Sequence, residues 1–216
     1  MDYGKVLGES FGYAKEGLVG KWVKWVLLIV ATILLALPLL GYELKILRGE
    51  KPSPEVTGWT TLFIDGIKYF VISLIYAIPV FIIAVVAAWP LVMAVMSGDQ
   101  TAVMASVGNS LPGLVVLVIV AIIIALFEFI GIIRFARMGK MSEAFNFNAI
   151  VATIGKIGWT SYIIALIIMI VIIGIVEVIC LAIPYVGGLI LFILVPFLVM
   201  FEGRYLCQIY DSAGTV

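Results

Sequence analysis

Histidine is missing from this chain of 216 residues, and charge is scarce, at 12% of the whole. Without His, the commonest general base and the commonest metal ligand at neutral pH are gone. A Ser or Cys nucleophile would therefore lack its ordinary partner. Only two cysteines occur, Cys180 and Cys207, too few for a disulfide framework. The helix reading below sets them toward opposite membrane faces, so both are expected to be free thiols. The 13 basic residues equal the 13 acidic ones and are spread thinly. No aromatic-rich basic patch follows a phosphate backbone, so nucleic acid is not an expected partner. No Gly-x-Ser-x-Gly elbow, phosphate loop, dinucleotide fingerprint or metal-ligand cluster is present. Asp65, beside Gly66 and near Lys68, is a single interfacial acid. No catalytic residue, metal or cofactor is expected. A cleavable signal is not expected either, since Lys5, Glu9, Lys15, Glu16, Lys21 and Lys24 precede the first apolar run and no small-residue cleavage site follows it.

What the chain has in abundance is apolar surface: 64% hydrophobic residues and a mean hydropathy of +1.27. Soluble domains carry about 45–50% apolar residues, and the excess here implies side chains that face lipid. A span needs about 20 mostly apolar residues. Five stretches qualify, near 25–40, 69–96, 114–135, 159–182 and 184–201. The expected fold is an all-α integral membrane helical bundle of four to five spans with one or two amphipathic interfacial helices, forming a single domain over 1–216. Pro79 and Pro90 predict a kinked or broken second span. Residues 183–188 allow only a tight hairpin. Leu7, Phe11, Ala14, Leu18 and Trp22 recur at helical spacing among charges, which predicts an interfacial helix over 1–21. Residues 141–157 read the same way. Residues 49–61, with Pro52, Pro54 and Gly58, are expected to be irregular, and 97–113 to be a polar loop or short surface helix.

Basic residues set topology, because cytoplasmic flanks carry their excess. If all five stretches cross, Lys45, Arg48, Lys51, Lys68, Arg134, Arg137, Lys140, Lys156 and Arg204 share one side, and Lys5, Lys15, Lys21 and Lys24 the other. The C-terminus is then cytoplasmic and the N-terminus external. If residues 25–40 instead enter and leave on one side, every basic residue is cytoplasmic. The charge rule favours the re-entrant form. Helix continuity opposes it, since 26–37 contain no Gly or Pro to make the turn. A weak repeat, Gly41 to Gly49 against Gly131 to Gly139 and Glu9 to Tyr13 against Glu143 to Phe147, suggests duplicated halves.

Two groups of residues are candidates for function. Glu128, Glu177 and Arg134 are ionisable groups in or beside spans, and such residues are functional hypotheses by default. Glu128 lies six residues before Arg134, roughly 9 Å along a helix. The acids form a proton or cation path, or they snorkel to interfaces while Glu128 pairs with Arg134 or Arg137. Gly4, Gly8 and Gly12 share one helix face and admit the close approach of another backbone, from a partner or from the same chain. The expected partners are membrane lipids and a second copy or another membrane protein.

Gly41-Tyr42, Arg48-Gly49-Glu50, Pro54, Leu62 to Lys68 and Leu74 to Pro79 resemble domain of unknown function 4013, an uncharacterised family of polytopic membrane proteins abundant in archaea. Glu143 to Phe147, Arg204-Tyr205, Gln208 and Tyr210-Asp211 fit the same pattern. The resemblance covers nearly the whole chain and implies an archaeal cell-membrane location without assigning an activity.

Overall fold

The computed structural model describes residues 1–214. Among them lie eight α-helices, one short 3-10 helix and no strand: α1 (Tyr3–Leu18), α2 (Trp22–Ile33), α3 (Leu37–Leu47), α4 (Trp59–Ser97), α5 (Gln100–Met138), the 3-10 turn Met141–Phe145, α6 (Phe147–Ile157), α7 (Trp159–Leu181) and α8 (Gly187–Asp211). Four of them, α4, α5, α7 and α8, are long and apolar enough to cross a membrane. At 1.5 Å per residue, α7 is about 34 Å long, matching a hydrocarbon core of about 30 Å. The chain divides into two compact units, Met1–Val71 with Phe129–Val216, and Ile72–Glu128.

The first apolar segment does not form one helix. α2 and α3 hold 12 and 11 residues, about 18 and 16 Å, each near half a bilayer. Leu35 and Ala36 between them both take the left-handed conformation (φ 58). The breaker is Pro38, one residue past the stretch free of Gly and Pro. Proline acts backward, because its ring collides with the carbonyl four residues earlier and it has no N–H to donate. A continuous helix through Leu34 to Pro38 is thereby disfavoured, while Pro38 sits comfortably in the first turn of α3. The two short helices fold back on each other, and Leu28, Ala31, Leu39, Tyr42 and Leu44 are buried. The continuity expectation was wrong: the first apolar segment is a hairpin of two short helices, and four other helices are long and apolar enough to cross a membrane.

Other helices of the larger unit pack on α8. α1 buries Ser10, Ala14, Gly17 and Leu18, and Gln208 Nε2 of α8 donates to Val6 O (3.1 Å) and Ser10 Oγ (2.8 Å). Tyr205 Oη donates to Ala165 O of α7 at 2.9 Å. α3 meets the first turns of α4 at backbone distance. A Cβ built on Gly41 would stand 2.7 Å from the Leu62 carbonyl carbon, and one on Gly66 would stand 2.5 Å from that of Leu37. These two glycines, on facing helices, provide the close approach that small residues allow.

The smaller unit is a helical hairpin made from the later part of α4 and the earlier part of α5, turned at Gly98-Asp99. Asp99 Oδ1 accepts from Thr101 N at 2.9 Å, which caps α5, so a long helix begins at Gln100 where a polar loop or short surface helix over 97–113 was expected. Gly113 packs against Ala87, its Cβ position 2.9 Å from the alanine methyl. Pro79 and Pro90 lie inside an unbroken α4. A proline removes one backbone bond, and fully opening a helix in lipid would expose several. Phe81 and Val86 are 69% and 67% exposed, surface that lipid can cover and water cannot do so cheaply.

Candidate functional site

The polar residues of the larger unit gather where helices end. At the base of the α2–α3 hairpin, Lys24 is buried. Its Nζ donates to Ser53 O (3.2 Å) and Ser53 Oγ (2.9 Å) and lies 3.8 Å from Glu55. Tyr42 Oη donates to Pro54 O at 2.9 Å. These bonds tie the entry of α2 to the loop that leaves α3. The chain thus enters and leaves the hairpin at one level. Burial pushes the Lys24 amine below its ordinary range, against the opposing pull of Glu55.

Ion pairs then fasten the exits of α3 and α5. Arg48 bonds Asp65 at 2.6 Å, and Lys68 approaches the same carboxylate at 3.5 Å. Arg134 is hydrogen-bonded to Glu143 of the 3-10 turn, a bond that holds the Glu143 carboxyl below its usual range. Arg137 Nε donates to Leu47 O (2.7 Å), its Nη2 donates to Asp211 (2.7 Å), and its guanidinium lies over the Tyr210 ring. Three helix ends, those of α3, α5 and α8, meet on that one side chain. Both cysteines are free and buried, and Cys207 Sγ donates to Ile46 O at 3.0 Å.

A cleft of about 460 Å³ opens between α1, the 51–52 loop and α8, lined by Gly8, Glu9, Gly12, Tyr13, Glu16, Lys51, Pro52 and Arg204. Arg204 is 4% exposed, with its guanidinium 5.7 Å from the Tyr13 ring centroid. Tyr13 Oη donates to Glu50 O at 3.0 Å, and burial raises the hydroxyl's pKa so that it stays a donor.

The sequence candidates do not converge. Arg134 has Glu143 as its partner and Arg137 has Asp211, so neither takes up Glu128. Glu128 belongs to the smaller unit, half-buried, with the Ser73 hydroxyl bonded to its carboxylate. Glu177 is exposed on α7. On α1, a Cβ at Gly8 or Gly12 would meet nothing within 4 Å, and one at Gly4 only Asp2 Oδ1 at 3.5 Å. That face is unpacked by the chain itself, and Gly8 and Gly12 line the cleft instead. Sequence reasoning missed Glu43, a buried acid on α3 that Tyr69 hydrogen-bonds. Burial first, then the charge of Glu202, push its carboxyl well above the ordinary range. Its position between Tyr42 and Leu44, both buried, was the signal available. Among the described residues no group of three or more Cys, Asp and Glu side chains could hold a metal ion.

The family model described as "Protein of unknown function (DUF4013)" matches residues 25–185. That region contains most of α2 and all of α3, α4, α5, α6 and α7. Neither a curated protein nor a solved structure matches the chain.

Proposed function

The chain belongs to this family of unknown function, DUF4013, and from its geometry we propose a non-enzymatic integral membrane protein that serves as a structural or accessory component of a membrane assembly, self-associating or joined to a membrane partner. One observation carries this reading: Arg137 gathers the ends of α3, α5 and α8 through Leu47 O and Asp211. Arg48 and Arg134 likewise hold local acids. Charge at these helix ends is spent on making a fixed platform, as a scaffold requires. With four crossings and a re-entrant hairpin, both termini lie on one side. The turns at 98–99 and 182–186 contain no Lys or Arg, which favours a cytoplasmic platform and C-terminus. Native mass spectrometry and cross-linking in membranes test the role. A strict monomer with no co-purifying partner refutes it.

Glu128 supports a second reading, a pore or transporter for a small solute, lipid or ion, because its carboxyl lies inside a candidate span and is bonded by Ser73. Liposome flux that is absent, or indifferent to Glu128→Gln, removes that support.

A further inference from the structure

Four arginines occur in the chain, and three of them hold an acid: Arg48 with Asp65, Arg134 with Glu143 and Arg137 with Asp211. Arg204 is the most buried of the four, and among the described residues no acceptor hydrogen-bonds or pairs with it. The Tyr13 ring offers it only a face. A guanidinium carries five N–H donors in a planar fork, and burying one without an anion or acceptor is costly. Its surroundings are built to admit a ligand. Gly8 and Gly12 place no side chain in the cleft, and open space surrounds both. The volume of about 460 Å³ falls within the usual range of small-molecule sites.

Charge fixes the sign of what enters. Glu9 is engaged by Lys5 on α1 at 3.9 Å. Lys51 and Arg204 share the lining with Glu9 and Glu16, but both acids are exposed to solvent while Arg204 is buried, so the enclosed charge that a ligand meets is positive. The apolar border fixes the source. Phe11, 53% exposed, stands next to Gly12 and makes an edge contact with Phe197 of the candidate span α8, ring centroids 5.5 Å apart. A buried, unpaired guanidinium in an open cleft beside the exposed Phe11 ring suits a molecule that is anionic at one end and apolar at the other. Arginine's fork matches phosphate oxygens in pairs.

We propose that this cleft binds the phosphate of a membrane-lipid headgroup, held by Arg204 and Lys51, with the acyl chains running along Phe11 and Phe197. The site is independent of the assembly role proposed above.

The test uses the full chain in a neutral detergent, titrated with short-chain phosphatidylglycerol and followed by native mass spectrometry. Inorganic phosphate and short-chain diacylglycerol form the comparison arms. The lipid is expected to bind, and diacylglycerol is not. Arg204→Gln should weaken binding by about tenfold or more, as losing a charge-assisted bond does, and Arg204→Lys should restore part of it. Lys140→Gln removes an exposed charge outside the cleft and should change nothing. If Arg204→Gln does not fold, Lys51→Gln and Gly12→Leu carry the test, since the leucine enters open space and fills the cleft. Unchanged binding in the cleft variants, or equal loss in Lys140→Gln, overturns the proposal. Binding of inorganic phosphate as tight as that of the lipid also overturns it, in favour of a soluble anion.

Discussion

Replacing Gly41 by Ala would place a methyl group 2.7 Å from the Leu62 carbonyl carbon, and Gly66→Ala would place one 2.5 Å from that of Leu37. Carbon atoms in ordinary contact lie about 3.5–4.0 Å apart, and the carbonyl oxygens of Leu62 and Leu37 stand closer still, so α3 and α4 must part by more than about 1 Å. Both obstacles are helix backbone, which cannot swing aside as a side chain can. A gap of about 0.5–1 Å forfeits a quarter to a half of each atom pair's dispersion attraction, and overpacking of this kind costs about 1–3 kcal/mol. The upper end applies here. Helix propensity returns about 1 kcal/mol for Gly→Ala, leaving a net loss of about 2 kcal/mol per site. In a chain of this length that lowers the unfolding midpoint by about 4–8 °C. Gly8→Ala meets nothing within 4 Å and should raise stability by up to about 1 kcal/mol. Thermal unfolding in detergent and in nanodiscs, followed by circular dichroism, separates the two cases. A neutral Gly41→Ala, or a Gly8→Ala as damaging as Gly41→Ala, would refute the assignment of close packing to the α3–α4 pair.

Three further outcomes are expected. Ala36→Gly should stabilise the protein by about 1 kcal/mol, because it relieves a left-handed residue; a continuous helix at that point would instead lose about 1 kcal/mol, so the sign of the change in unfolding midpoint decides. Arg137→Gln should cost about 2 kcal/mol by stripping Asp211 and Leu47 O of a charged donor, and should speed maleimide labelling of Cys207, which is buried against Ile46 O beside that guanidinium; labelling at the wild-type rate would contradict the tie. In pH scans of unfolding, Glu143 and Glu43 should act with opposite sign. The Glu143 carboxyl is held low by Arg134, so its stabilising contribution is present above about pH 4.3 and lost as pH falls through the folded value. The Glu43 carboxyl is raised by burial and by Glu202, so its contribution is present below about pH 4.3 and lost as pH rises through the folded value. Glu143→Gln should therefore remove stability at neutral pH, while Glu43→Gln should gain on the wild type as pH rises. A gain that does not grow with pH would count against burial of the Glu43 charge.

Much of the architecture was legible along the chain. Bulk apolarity and run length carry the helical membrane class, because lipid demands closed backbone hydrogen bonding and about 20 apolar residues per crossing. They located the apolar parts of α4, α5, α7 and α8, but missed the first ten residues of α4, the first fourteen of α5 and the last ten of α8. The tight 183–188 turn was also readable, since Pro184 and the paired glycines leave too few residues for anything longer. The break in the first segment was missed for a local reason. Pro38 lay at the edge of the apolar run, and its effect falls on Leu34, inside it. The close glycine contact within the chain was hidden for a tertiary reason. Gly4, Gly8 and Gly12 have the regular spacing, whereas Gly41 and Gly66 sit alone on two helices and make one contact only after α3 and α4 are side by side.

The pairing of charges was beyond any reading of the sequence. Glu128 and Arg134 are six residues apart on one helix, yet Arg134 turns to Glu143 and Arg137 to Asp211, 74 residues on. Arg204, close to Glu202 in sequence, is left with a tyrosine ring and an open cleft. Hydropathy and helix period are properties of a few adjacent turns, so sequence alone decided that this chain is helical and suited to a membrane. Which cation meets which anion depends on helices that are far apart in sequence and adjacent in space, and only the tertiary structure decided that.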